Sequence, residues 1–202
     1  KDPLELLKGV DKGPVHLKFN DYSTFTTTIA TIIAENLLTK GKPARLRVFI
    51  TRAWWPLRFN FSDFHILRKM SINNPNGRGL ICSNDPFDQW VVQQYCIAGK
   101  PYGGYALIDI TQEKPKEDLF CLDDYVGRIT YSPETTKFLN EVYSEIHGLY
   151  DLLKFYYSNK AESFKPEITC IIERNPALAD LIAEKVDRAY NKNKDYMKFI
   201  KG

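Results

Sequence analysis

No Cys-x-x-Cys pair occurs in the 202 residues, and the four cysteines, at 82, 96, 121 and 170, lie 14, 25 and 49 residues apart. That spacing holds no zinc-type cluster, and a chain of this length does not depend on disulfide staples. The cysteines therefore read as buried or free thiols in a reducing compartment. Long apolar runs are also missing: "IATIIAENLL" at 29–38 is broken by Glu35 and Asn36, well short of the ~20 apolar residues a spanning helix requires. There is no signal-peptide pattern. Together these absences lead to an expectation of an intracellular protein, cytoplasmic or nuclear, with no membrane partner. Starting at Lys1, the chain reads as part of a larger polypeptide or assembly.

Neither G-x-x-x-x-G-K-[ST] nor G-x-G-x-x-G is present, which removes the two commonest glycine-rich phosphate cradles. The turn-like "NPNGRGL" has the glycines of such a loop but not their spacing, and reads as a hairpin turn with Arg78 on its rim. The three histidines, His16, His65 and His147, are far apart. Asp63 and His65 share a strand face by alternation, a pairing suited to metal or proton-transfer chemistry but equally to a polar surface. A metal-dependent nuclease would need converging carboxylates, to be drawn from Asp63, Asp85, Asp88, Asp109, Asp123, Asp124 and Glu173. Among them Asp109 stands out, because it lies inside the apolar run "ALIDIT". No catalytic residue, metal or cofactor is assigned on these grounds.

What the chain does have is apolar and aromatic substance: 44% hydrophobic and 13% aromatic residues, enough for a sizeable core rather than a disordered chain. Its charge is unevenly placed. Residues 1–101 carry 14 Lys/Arg and 8 Asp/Glu, a balance of +6, whereas 102–202 carry 14 and 17, a balance of −3. Between Lys40 and Arg78 nine basic residues accompany one acid, Asp63. A block so strongly of one sign attracts phosphates, acidic protein surfaces or anionic lipid.

Periodicity places a short N-terminal helix, a strand at 15–19, and a helix from Ser23 to a stop at Gly41. Two strands, 44–51 and 57–62, are expected to pair as a hairpin through Trp54, Trp55 and Pro56. A helix opens at Asp85-Pro86, strands follow at 103–111 and 125–131, and Ser132-Pro133-Glu134 caps a helix carrying Phe138, Val142, Ile146, Leu149 and Leu153 on one side. A strand at 167–173 and a helix opened by Asn175-Pro176 complete the chain. The fold expected is a single α+β domain over 1–202, with a mostly antiparallel sheet, an early basic hairpin and helices concentrated in the C-terminal half. A subdivision would fall near 112–118.

The segment "RLRVFITRAWWPLRFNFSDFH" at 45–65 carries the functional expectation. Alternation puts Leu46, Val48 and Ile50 on one face and Arg45, Arg47, Phe49 and Thr51 on the other. In the second strand Leu57, Phe59 and Phe61 oppose Arg58, Asn60 and Ser62. Guanidinium forks bind phosphates bidentately, and Phe49 offers a ring to an unpaired base. The chain is thus expected to be a non-catalytic nucleic-acid-binding domain, single-stranded RNA or DNA favoured. Its site would comprise Arg45, Arg47, Phe49, Arg52, Trp54, Trp55, Arg58 and Arg78. The competing expectation is an interaction or assembly module, with an acidic partner or a second copy. "LYDLLKFYY" carries more apolar surface than one buried helix face needs, so this helix is expected to be central, or else to meet another subunit or protein on one side. A metal-dependent nuclease or hydrolase comes third.

Overall fold

The structure, a computed structural model, describes residues 9–39, 44–54, 57, 77–93 and 104–192. In chain order the elements are β1 (Val15–Phe19), α1 (Tyr22–Thr39), β2 (Leu46–Ile50), β3 (Gly77–Ile81), α2 (Pro86–Val91), β4 (Gly104–Ile108), β5 (Asp118–Leu122) and β6 (Tyr125–Tyr131). They continue with α3 (Pro133–Glu145), α4 (Leu149–Tyr156), α5 (Asn159–Ser163), β7 (Ile168–Arg174) and α6 (Pro176–Lys192). The seven strands form one sheet in the order β1-β7-β6-β5-β2-β3-β4. Only the β2–β3 and β3–β4 pairings are parallel. The other four are antiparallel, so the α+β class with a mostly antiparallel sheet and its late helices is as expected.

The sheet separates two cores. On one face Ile50, Ile81, Phe120, Leu122, Ile129 and Ile172 pack with α1 (Phe25, Ile29, Ile32) and α3 (Leu139, Val142, Tyr143). On the other, Phe49, Leu80, Cys82, Cys121 and Val126 pack with α6 through Ala179, Ile182, Val186, Ala189 and Tyr190. Small residues on α6 let its backbone approach the sheet closely. Asn175 caps this helix, its Oδ1 accepting from the Leu178 amide at 3.1 Å, and Ser132 does the same for α3 through the Thr135 amide.

Four expectations change. First, both edges of β2 are taken, one by β3 and the other by β5, so β2 has no edge left for the expected hairpin; its expected partner, 57–62, lies outside the described residues except for Leu57. Second, "DLFCL", to which periodicity assigns no element, is β5: it is short and follows a charged run, yet it pairs with β6 across a two-residue turn. There Asp123 takes a left-handed conformation (φ 53°) that Asp tolerates. Third, "GRGLI", read as the end of a turn, is β3; pairing on both sides overrides the weak strand preference of its glycines. Fourth, the helix expected through Leu153 breaks after Glu145. Ile146 adopts an extended conformation and is buried, and Asp151 Oδ2 accepts from the His147 amide to start α4. Among the described residues no helix is long and apolar enough to cross a membrane.

Candidate interaction surface

The arginine face of β2 is built as the alternation demands, but α6 lies over it. Arg47 is 7% exposed and Phe49 5%. The Arg47 guanidinium donates through Nε and Nη2 to Asp187 at 2.7 and 3.3 Å, and through Nη1 to the Leu46 carbonyl. Arg78, directly across from Arg47 on β3, donates to the same Asp187 at 2.8 Å and lies over the Tyr190 ring. Arg45 pairs with Asp180 at 2.7 Å. Lys185 stands 4.2 Å from the centre of the Phe49 ring, so the ring expected to stack on a base carries a lysine from α6 instead. These arginines satisfy the acidic residues of the second half of the chain, and the face they form is an internal interface.

Arg52 and Trp54 also point inward. The Arg52 guanidinium is paired with Asp85, donates to Asn140 Oδ1 at 2.7 Å and lies over the Tyr143 ring. Trp54 is 5% exposed and packs against Phe25, rather than standing at an exposed tip. The backbone around it is held from within the core. Thr51 N–H donates to Asp118 Oδ1 at 2.7 Å and Ala53 N–H to Asp88 Oδ1 at 2.8 Å. Tyr143 donates to the Ala53 carbonyl, Tyr22 to that of Trp54 and Tyr156 to that of Leu57. A buried chain segment must have its peptide groups paired, and here tyrosines and aspartates do the pairing. Trp55, Arg58, Asp63 and His65 lie outside the described residues.

Among the described residues the acids weighed for metal chemistry do not assemble a metal site. Asp109 is not within the strand but just past β4. It accepts from the Thr111 amide and hydroxyl and from Gln112. Partial burial pulls its pKa up, but these hydrogen bonds outweigh it and hold the carboxyl below its ordinary value. Asp124 pairs with Arg174, and Glu173 with Arg128. Among the described residues no three His, Cys, Asp or Glu side chains are placed to hold a metal ion.

The exposed feature is on α4. Leu152 is its buried side chain, and Phe155 packs against Phe138. On the outer side Tyr150 is 78% exposed, Tyr157 89%, Leu149 49% and Leu153 37%. At about 100° per residue, these four fall within roughly 100° of one another around the helix. Single exposed apolar residues such as Ile110 and Leu181 need no explanation, whereas these four lie together on one side of one helix. The surplus in "LYDLLKFYY" is legible in sequence, but the helix is not central as expected: Leu152 is its buried side chain and one side faces outward, because which residues are covered depends on where the helix docks. No family model matches the chain, and no curated protein or solved structure matches it.

Proposed function

We propose that this chain is a non-catalytic assembly module that associates with a second copy of itself through α4. The observation that carries this is the exposed Leu149–Tyr150–Leu153–Tyr157 stripe on a helix whose opposite side is docked. A twofold interface uses the same patch on both partners and must be self-complementary. The stripe has that property: Tyr150 and Tyr157 lie three and four residues either side of Leu153. Two antiparallel copies of α4 place leucine near the dyad and set each Tyr150 against the partner's Tyr157. Tyrosine suits this role, since its ring buries large area while its hydroxyl stays wet. The patch is small beside the ~800 Å² per partner of a standard stable interface, so the association is weak and concentration-dependent.

Nucleic-acid contact through Arg47 and Phe49 would require α6 to leave the sheet and expose Ile182, Val186 and Ala189, so it is not the function proposed. The two differ sharply in their response to salt. Contacts to phosphates weaken steeply as salt rises. The α4 pairing is apolar and brings Lys154 of each copy toward the dyad, so salt screens a repulsion and strengthens it. Sedimentation equilibrium should show the mass rising above the 23.4 kDa monomer with protein concentration, more so at high salt. The combined Tyr150→Ser, Leu153→Ser, Tyr157→Ser variant should remain monomeric. A wild-type mass that stays monomeric up to millimolar concentration overturns the proposal, and salt-sensitive binding of single-stranded RNA or DNA would favour the nucleic-acid function in its place.

A further inference from the structure

The two aspartates that anchor the connection after β2 are unusual in their surroundings. Asp88 is 0% exposed and Asp118 4%. Among the described residues neither makes an ion pair, and the cation on that side, Arg52, is taken by Asp85 and Asn140. Asp118 accepts from the Thr51 amide and from the Tyr131 hydroxyl. Asp88 accepts from the Ala53 amide through Oδ1, whereas its Oδ2 is buried without a hydrogen-bond partner. Facing Asp88 are Arg52, Asp85 and the Ser83 hydroxyl, with Tyr22 of α1 and Tyr143 of α3. Facing Asp118 are Thr51, Tyr131 of β6, Tyr22, Cys82 and Asp88 itself. Most of these neighbours are neutral, and the charges that do face the pair are one committed arginine and further carboxylates.

An ionised carboxylate in such a place has lost its hydration without gaining a counter-ion, a costly arrangement. A neutral carboxyl avoids that cost. On Asp88 it also removes the charge from the buried Oδ2. We propose that Asp88 and Asp118 are buried acids that take up protons on acidification, and that losing this desolvated charge stabilises the buried arrangement of Thr51, Ala53 and Trp54. The connection then acts as a pH-responsive anchor, holding β2 and its neighbours more firmly in mild acid than at neutral pH.

The electrostatics run the same way. Burial pushes both carboxyls up from their ordinary 3.8 to about 6, and Asp88 adds a like-charge push on Asp118. A group that binds its proton more tightly folded than unfolded adds stability as the pH falls. The contribution is complete below the unfolded value near 3.8 and lost as the pH rises through about 6.

Carbon-detected NMR of the aspartate carboxyls, assigned through Asp88→Asn and Asp118→Asn, tests this, together with amide hydrogen exchange at Thr51 and Ala53. At least one of the two carboxyls should titrate near pH 6. Protection of the Ala53 amide, corrected for intrinsic exchange, should increase several-fold between about pH 7.5 and 5.5 in wild type and stay level in Asp88→Asn, as expected for a group titrating in that window. Both carboxyls titrating below about 4.5, in the ordinary range, overturns the proposal, as does protection independent of pH in wild type. Should Asp118→Asn fail to fold, the wild-type titration and the Asp88→Asn exchange data decide the matter alone.

Discussion

Strands β1 and β2 look alike in sequence and live in different environments. "VHLKF" and "RLRVFI" both alternate apolar residues with basic ones, and their basic residues point to the same side of one sheet. The register runs along a single row from Phe49 through Leu119, Arg128 and Ile171 to His16. At one end of that row Phe49 lies beneath α6, and its neighbour Arg47 is locked to Asp187. At the other end His16 and Lys18 are exposed. An alternating strand therefore announces which residues share a face but not what covers that face. A basic face can meet water, a ligand, or an acidic helix from the same chain. Here the acidic second half of the sequence supplies its own partner.

Three substitutions test this contrast. The largest effect is expected at Gly127, where the two parts of the sheet join. A Cβ there would come within 2.0 Å of the Phe120 ring, which is itself buried. Gly127→Val should cost about 3 kcal/mol through overpacking, read from the urea midpoint at unchanged slope. Next comes Asp187→Ala, which leaves Arg47 enclosed without its carboxylate and releases Arg78 as well. Removing one partner of a fully enclosed ion pair costs about 3–5 kcal/mol. Since the Asp187 side chain is 33% exposed, a loss of about 2 kcal/mol is expected after allowing for solvent screening. The smallest effect belongs to Lys18→Ala on the open end, within about 0.5 kcal/mol of wild type. Equal losses for Asp187→Ala and Lys18→Ala would erase the distinction between the covered and open ends of the sheet.

Much of the fold was legible locally. Ser132-Pro133 and Asn175-Pro176 begin helices where capping chemistry says they should, and β1, β6 and β7 follow their alternation. Some of the missed elements depend on distant partners: β3 owes its conformation to strands on both sides, and the 51–54 connection to tyrosines and aspartates from α1, α2, α3 and β5. The exception is β5, whose hairpin with β6 is local and turns on two aspartates. The candidate site fared similarly. The surplus of apolar residues in α4 was visible, and so was the common face of Arg45, Arg47 and Phe49. What hid the destination of that face was sequence distance, since Asp187 is 140 residues from Arg47.

The sequence by itself determined the α+β class, the pleat of β2 and the charge imbalance between the two halves, because periodicity, capping and composition act over a few residues. Only the tertiary structure decided that the arginines face α6, that Trp54 lies in the core, and that the tyrosines of α4 face outward. Each of those outcomes depends on which remote element docks where. An ion pair or a buried ring forms only when the sheet order and helix placement bring its two members together, and no local pattern encodes that order.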